Sequence, residues 1–245
     1  KMSKQQLLVV GNGMVGHRFL EELCDRADSR EYQITVFRAE PRLAYDRVHL
    51  SSYFSHHTSE ELSLVKPGFY ERHGIEVRLG EAVKQIDRAA QQVHSNKGST
   101  VSYDTLILAT GSYPWVPPIT GAQHHECFVY RTIEDLKAIR AAAKQGKSGV
   151  VIGGGLLGLE AAGALKALGL QTHVVEFAPV LMAEQLDRLG GEMLRRTIES
   201  MGVQVHTSKQ TKEIQMHAGK TAAHRLEFAD GSDLEVDVVV FSTGI

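Results

Sequence analysis

The chain has 245 residues, 42% of them apolar and 23% charged, with a formal net charge of −2. That balance supports buried cores, and the lack of a long run of one sign excludes the usual signatures of a nucleic-acid or membrane-surface partner. Apolar runs such as Leu7 to Val10 and Val238 to Phe241 fall far short of the roughly 20 residues of a membrane-spanning helix. The N-terminal KMSKQQLLVV contains no signal-peptide apolar region. Cys24 and Cys127 are the two cysteines, and neither belongs to a C-x-x-C pair or a Cys/His cluster. A reduced, cytoplasmic chain with no disulfide framework and no metal site is therefore expected. Cys24 falls on a predicted helix, where a buried thiol is the ordinary role.

In chain order, Leu7–Val10 reads as a strand running into the turn Gly11–Gly16 and then a helix to about Ala27, with Val15, Phe19, Leu20 and Leu23 at helical spacing. A second strand spans Tyr32–Phe37. After a loop containing PRLAYDRVHLSSYF come short strands in IEVRLG, AVKQID, QQVHS, TVSYD and TLILAT. The stretch ATGSYPWVPPITG gathers Pro114, Pro117 and Pro118 and marks a domain crossing, dividing the chain into 1–116 and 117–245. Thr132 to Asp135 is a capping-box signature for a helix Ile133–Lys144, with Gly146 just beyond it. Strand Gly149–Ile152, a glycine turn, a helix to Leu168 and strand Thr172–Glu176 complete a second βαβ unit. A helix from about Glu184 to Met201 follows. Short strands are predicted at Val203–His206, Glu213–His217 and His224–Phe228, and an interior strand at Val236–Phe241. The predicted class is α/β, with two Rossmann-like dinucleotide-binding units and short antiparallel excursions.

Two G-x-G-x-x-G turns, Gly11, Gly13, Gly16 and Gly153, Gly155, Gly158, carry the chemistry. Each follows an apolar strand and opens a helix, so the spacing has a mechanism: a tight turn, a close approach of pyrophosphate to backbone, and close helix–strand packing. Unpaired N–H groups at the helix start then bind phosphate. At the end of the second strand of the second unit, Glu176 can accept both ribose hydroxyls of an adenosine and repel a 2′-phosphate, which favours NADH over NADPH. The first unit has Arg38 at that position. Glu40, two residues later, is either the ribose acceptor or a solvated loop charge. Glu160, on the second helix, is either a contact for the nicotinamide end or an ordinary helix-face carboxylate. Two dinucleotides suggest a relay from a diffusing hydride donor to a held flavin such as FAD.

The succession of G-x-G-x-x-G, LILATG, G-x-G-x-x-G-x-E and DGSDLEVDVVVFSTGI resembles the pyridine nucleotide–disulfide oxidoreductase superfamily. AYDRVHLSSYFSHHTSEELSLV and GGGLLGLEAAGALKALGLQTHVVEFAPVLMAEQLD are closer still to the N-terminal part of the large subunit of bacterial NAD(P)H nitrite reductases. The resemblance implies that Gly11, Gly13, Met14 and Val15 lie on the FAD pyrophosphate and that Arg47 adds a charge to it. It puts Val83 near the adenine and Ala109, Thr110 and Gly111 along the flavin. It assigns Gly153, Gly155, Leu156, Leu157, Glu160 and Glu176 to NAD(P)H, with Gly244 closing that site. Where related reductases carry a lysine beside the flavin, this chain has Ser52, and it has no redox cysteine there, so thiol–disulfide chemistry is not expected. His49, His56 and His57 read as solvated loop residues. No catalytic side chain is named, because hydride transfer between stacked rings needs none.

The family's FAD domain is discontinuous, and this sequence stops near Ile245, where the resemblance expects the chain to re-enter it. The reading is an N-terminal fragment with an intact NADH site and weakened FAD affinity. Sirohaem and a 4Fe-4S cluster, with nitrite as their substrate and a small subunit as a further partner, belong to the part beyond it. The alternatives are an NADH:rubredoxin or ferredoxin reductase and a non-catalytic NADH-sensing module.

Overall fold

The computed structural model describes residues 4–26, 31–54, 58–216 and 224–244. The chain divides into two compact units, Lys1–Val48 with Thr58–Ser112, and His49–His57 with Tyr113–Ile245. The crossing thus falls between Ser112 and Tyr113, and a short loop segment belongs to the second unit.

In the first unit β1 (Gln5–Val10) leads through the glycine turn to α1 (Met14–Cys24), then β2 (Tyr32–Arg38), α2 (Phe69–Arg72) and β3 (Glu76–Leu79). The hairpin strands β4 (Val83–Asp87), β5 (Gln92–Ser95) and β6 (Thr100–Ser102) precede β7 (Thr105–Leu108). Strands β3-β2-β1-β7 form a parallel sheet, and β4-β5-β6 an antiparallel one. The last four residues of β1 are buried, as a strand covered on both faces requires. On one face Leu7, Val9, Ile34 and Val36 pack with Leu20 of α1 and with Phe69 and Tyr70. On the other, Leu8 and Phe37 meet Val93 of the antiparallel sheet. This alternation is the period-2 pattern of the strands. Helix α1 ends at Cys24, short of the predicted Ala27, which lies outside the described residues. Cys24 is half-buried, and burial raises its thiol pKa, which favours the unreactive protonated form.

The second unit begins with a single 3₁₀ stretch, Leu50–Phe54, and continues with β8 (Cys127–Val129), α3 (Ile133–Ala143), β9 (Ser148–Ile152), α4 (Leu156–Ala167), β10 (Gln171–Val175) and α5 (Arg188–Ser200). Then come β11 (Val203–His206), β12 (Thr211–Met216), β13 (His224–Phe228), β14 (Asp233–Val236) and β15 (Val238–Phe241). The parallel sheet runs β11-β10-β9-β15-β8, and β12-β13-β14 are antiparallel. The capping box at α3 forms as expected: the Thr132 hydroxyl accepts from the Asp135 amide at 3.1 Å, and the Asp135 carboxylate accepts from the Thr132 amide at 2.7 Å. Gly158, Ala161, Ala162, Ala164 and Leu165 form the buried face of α4.

Two predicted elements differ. The helix expected from Glu184 begins at Arg188, because Asp187 accepts the Gly190 amide at 2.7 Å and so caps the helix one turn later. The interior strand expected over Val236–Phe241 is two strands of different sheets. Asp237 breaks it by turning its carboxylate onto the amides of Lys147 (2.6 Å) and Ser148 (3.0 Å). β8 carries no period-2 signal of its own and was not predicted.

Across β10 and β11, His173 Nδ1 and His206 Nε2 lie 3.1 Å apart with stacked rings. Burial, reinforced by His206, depresses His173 to about 4, and burial also lowers His206. The folded pair therefore holds fewer protons than the unfolded chain below the ordinary histidine pKa of about 6.5. Its stabilisation is full above that value and is lost as pH falls from there toward 4. Between pH 7 and 4.5 the chain is expected to lose on the order of 2 kcal/mol that a His173→Gln variant does not lose. Urea midpoints measured at the two pH values check this; equal losses in both proteins would refute it.

Candidate functional site

Both glycine turns are built alike. A Cβ at Gly11 would overlap the Ala109 carbonyl, and one at Gly153 the Ser242 carbonyl; both glycines have positive φ, +98° and +118°. A Cβ at Gly16 would overlap the carbonyl of Gly11, and one at Gly158 the carbonyl of Gly153. Each turn is thus wedged against the backbone that leaves the next parallel strand, Ala109–Thr110 after β7 and Ser242–Thr243 after β15. Gly111 and Gly244 follow at matching places, again with positive φ. The middle glycines differ: nothing lies within 4 Å of a Cβ built on Gly155, and only an Arg38 nitrogen, at 3.9 Å, near one on Gly13. Those are the positions where the mechanism needs open space for a pyrophosphate. The structure therefore brings Gly11, Gly13, Gly16, Ala109 and Thr110 together in the first unit and Gly153, Gly155, Gly158 and Gly244 in the second. The side chains of Met14 and Val15, and of Leu156 and Leu157, are exposed at the two helix starts.

Around the first turn, the buried Arg38 donates to the Asn12 carbonyl and pairs with Glu40 at 3.2 Å. Glu40 also accepts the Tyr45 hydroxyl and an Arg47 nitrogen, each at 2.7 Å. Burial works to raise the Glu40 carboxyl, but the Tyr45 hydroxyl and the two guanidinium groups outweigh it and hold it below the usual carboxylate range. Glu40 is therefore not a solvated loop charge; it is the hub of an ion-pair group that also holds Arg47. Asn12, inside the turn, donates to the Tyr70 hydroxyl at 2.8 Å, and Tyr70 bonds His17 Nδ1 at 3.0 Å. Asn12 Oδ1 and Arg38 Nε are buried with no hydrogen-bond partner among the described residues, as at a site that awaits a polar ligand. Val83 is half-buried against Leu8, Phe37 and Val93. His49 is exposed, while His56 and His57 lie outside the described residues.

Over the second turn lies a cleft of about 780 Å³, lined by Gly153, Gly155, Leu156, Leu157 and Gly244 among others. Its size falls within the range of small-molecule and cofactor sites. Glu176 lines it, with its carboxylate accepting the Gly154 amide at 2.6 Å and the Ala178 amide at 2.7 Å. Those bonds use about two of the four acceptor directions of a carboxylate, so Glu176 stiffens the turn and retains capacity for hydroxyl donors. Glu160 is exposed and accepts the Ser51 hydroxyl at 3.3 Å. Phe177, 72% exposed, Trp115 and Tyr130 also line the cleft and escaped the sequence reading. An aromatic residue directly after the strand-end acid was the available signal for Phe177. The 570 Å³ hollow of the first unit lies by Lys4 and Tyr32, at the opposite ends of β1 and β2 from the turn.

The family model for pyridine nucleotide-disulphide oxidoreductases matches residues 5–245. The chain belongs to that family. Among curated relatives, it is 66% identical to the NADH nitrite reductase large subunit of Escherichia coli (strain K12), over all of this chain and 29% of that protein. It is 54% identical to the NAD(P)H nitrite reductase large subunit of Klebsiella oxytoca, over all of this chain and 25% of that protein. The chain thus spans less than a third of these relatives. Among solved structures, a ferredoxin reductase from Rhodopseudomonas palustris superposes with a TM-score of 0.87 at 26% identity, covering 98% of this chain and 59% of that one. The pyridine nucleotide–disulphide oxidoreductase fold accounts for both βαβ units and their antiparallel excursions. Among the described residues no helix is long and apolar enough to cross a membrane, and no group of three or more His, Cys, Asp or Glu is arranged to hold a metal ion.

Proposed function

We propose that this chain is the NADH-oxidising, FAD-holding portion of an NAD(P)H nitrite reductase large subunit. The observation that carries the reading is the cleft over Gly153–Gly158 with Glu176 on its wall. In the second unit the amides at the start of α4 receive the pyrophosphate of NADH, Glu176 its adenosine ribose, and Glu160 its nicotinamide end. Gly244 closes the cleft. In the first unit the open position at Gly13, the orphaned polar atoms of Asn12 and Arg38, and the Ala109–Thr110–Gly111 segment fit FAD, with Arg47 and Glu40 at its polar end. The expected boundary at 116/117 moves to Ser112/Tyr113: residues 1–48 with 58–112 are then the FAD-binding part, and 49–57 with 113–245 the NAD-binding part. The two dinucleotides, when bound, supply the hydride and single-electron chemistry; this chain's residues bind, orient and exclude water. Glu176 disfavours the extra phosphate of NADPH by charge. Nitrite reduction, in the cytoplasm and with a small subunit as partner, is assigned to other parts of the parent enzyme, where sirohaem and a 4Fe-4S centre would supply that chemistry.

The full-length polypeptide, reconstituted with FAD and titrated with NADH without oxygen, tests this. Bleaching of the flavin absorbance with one NADH per flavin is expected, followed by re-oxidation on adding nitrite. An unbleached flavin contradicts the reading. The likeness to a ferredoxin reductase favours a second reading, in which a separate carrier protein takes the electrons; bleaching without nitrite-dependent re-oxidation selects it.

A further inference from the structure

Glu160 stands one turn beyond Leu156 on α4, so the two side chains project from one face of the helix, and Leu156 lines the cleft. The Glu160 carboxylate forms no salt bridge among the described residues. Its partner is a hydroxyl: Ser51 Oγ donates to Glu160 Oε2 at 3.3 Å and accepts from the Tyr130 hydroxyl at 3.1 Å. Tyr130 is 8% exposed and forms part of the cleft wall. All three residues belong to the second unit.

The chain of hydroxyls is braced from behind. Arg140 of α3 donates to the Tyr53 carbonyl at 2.6 Å, and its guanidinium lies over the Tyr53 ring at 4.4 Å and the Phe54 ring at 5.5 Å. Phe54 in turn stacks on Tyr130, with ring centres 6.3 Å apart. The 3₁₀ stretch that carries Ser51 is thereby fixed to α3 and to Tyr130, just after β8. The neighbouring Ser52 cannot serve in its place, because its hydroxyl is spent on the His49 carbonyl at 2.6 Å. Burial, with Ser51 opposing and the Glu160 charge assisting, pushes the Tyr130 hydroxyl up to about 12. Tyr130 therefore keeps its proton throughout the neutral range and can donate it to Ser51. Distances of 3.1 and 3.3 Å are long for hydroxyl bonds, as such bonds commonly are before a ligand seats.

We propose that Tyr130, acting through Ser51, is a positioning residue that holds one oxygen of Glu160 so that the other accepts the carboxamide N–H of a nicotinamide ring. The inference rests on the cleft being the NADH seat. It gives the carboxylate orientation with no countercharge.

The test is calorimetric titration of the oxidised, full-length flavoprotein with NAD⁺ and with its 3-acetylpyridine analogue, which lacks the carboxamide N–H. Wild type is expected to prefer NAD⁺. Tyr130→Phe should weaken NAD⁺ about tenfold, equivalent to about 1.4 kcal/mol, and the analogue less than about twofold, so that the preference collapses. Ser51→Ala should do the same, and it decides the matter if Tyr130→Phe does not fold. Tyr130→Phe added to Glu160→Gln should cost nothing further. Equal weakening of both nucleotides, or losses that multiply in the double variant, overturns the inference while leaving the NADH seat intact. Failure of the wild-type protein to bind NAD⁺ at all overturns the seat and the inference together.

Discussion

Gly155→Val is expected to abolish tight nucleotide binding while leaving the fold unharmed. Gly155 caps α4 with an extended backbone, φ −81° and ψ −176°, which any residue adopts. No atom lies within 4 Å of the added Cβ, so the branch point of a valine meets neither strain nor overlap. Its methyl groups nevertheless occupy the space through which a pyrophosphate must reach the amides at the helix start. Those amides are the main attraction for the phosphates, and α4 offers no side-chain cap in their place. NADH affinity measured by fluorescence titration should fall about 100-fold, or about 2.7 kcal/mol, with an unchanged urea midpoint. Affinity kept within about threefold of wild type would show that the dinucleotide does not lie on this turn.

Gly158→Ala should act in the opposite way, through stability. The added Cβ would overlap the carbonyl oxygen of Gly153, and neither partner can move aside. Gly153 is held with φ +118° against the Ser242 backbone and donates its own N–H to the Val175 carbonyl at 2.8 Å. Gly158 is itself buried in the contact between α4 and the sheet. Overlap with fixed backbone in a packed site costs about 1–3 kcal/mol. Gly163→Ala on the same helix is the control: its Cβ meets nothing within 4 Å, and alanine stabilises a helix interior by up to about 1 kcal/mol over glycine. Chemical denaturation of the two variants should therefore shift in opposite directions. Equal midpoints would mean that the close approach at Gly158 does not exist in solution.

The features legible in the sequence are those written in local patterns. Two strand–turn–helix segments, the Thr132–Asp135 cap and the interior strands follow from glycine spacing, capping residues and runs of β-branched side chains. The repeat of Ala109-Thr110-Gly111 as Ser242-Thr243-Gly244 behind the two turns is visible in the text once the turns are known. Features that depend on tertiary neighbours were not legible. Asp237 looks like an interruption of one strand, yet its carboxylate finds the Lys147 and Ser148 amides and ends a sheet. Arg38 occupies the place of an acidic residue, and only its burial beneath Asn12 and beside Glu40 explains it. Ser51 lies far from Tyr130 and Glu160 in sequence, and no periodicity links the three. Glu176 was read as a ribose acceptor from its strand-end position; its bonds to the Gly154 and Ala178 amides add a structural duty that spacing does not encode.

A crystal structure of this chain with NADH tests the account most directly. The account predicts the pyrophosphate over Gly155 and the first amides of α4, and the adenosine ribose hydroxyls on Glu176. A dinucleotide bound away from the Gly153–Gly158 turn, or none at saturating concentration, would contradict it.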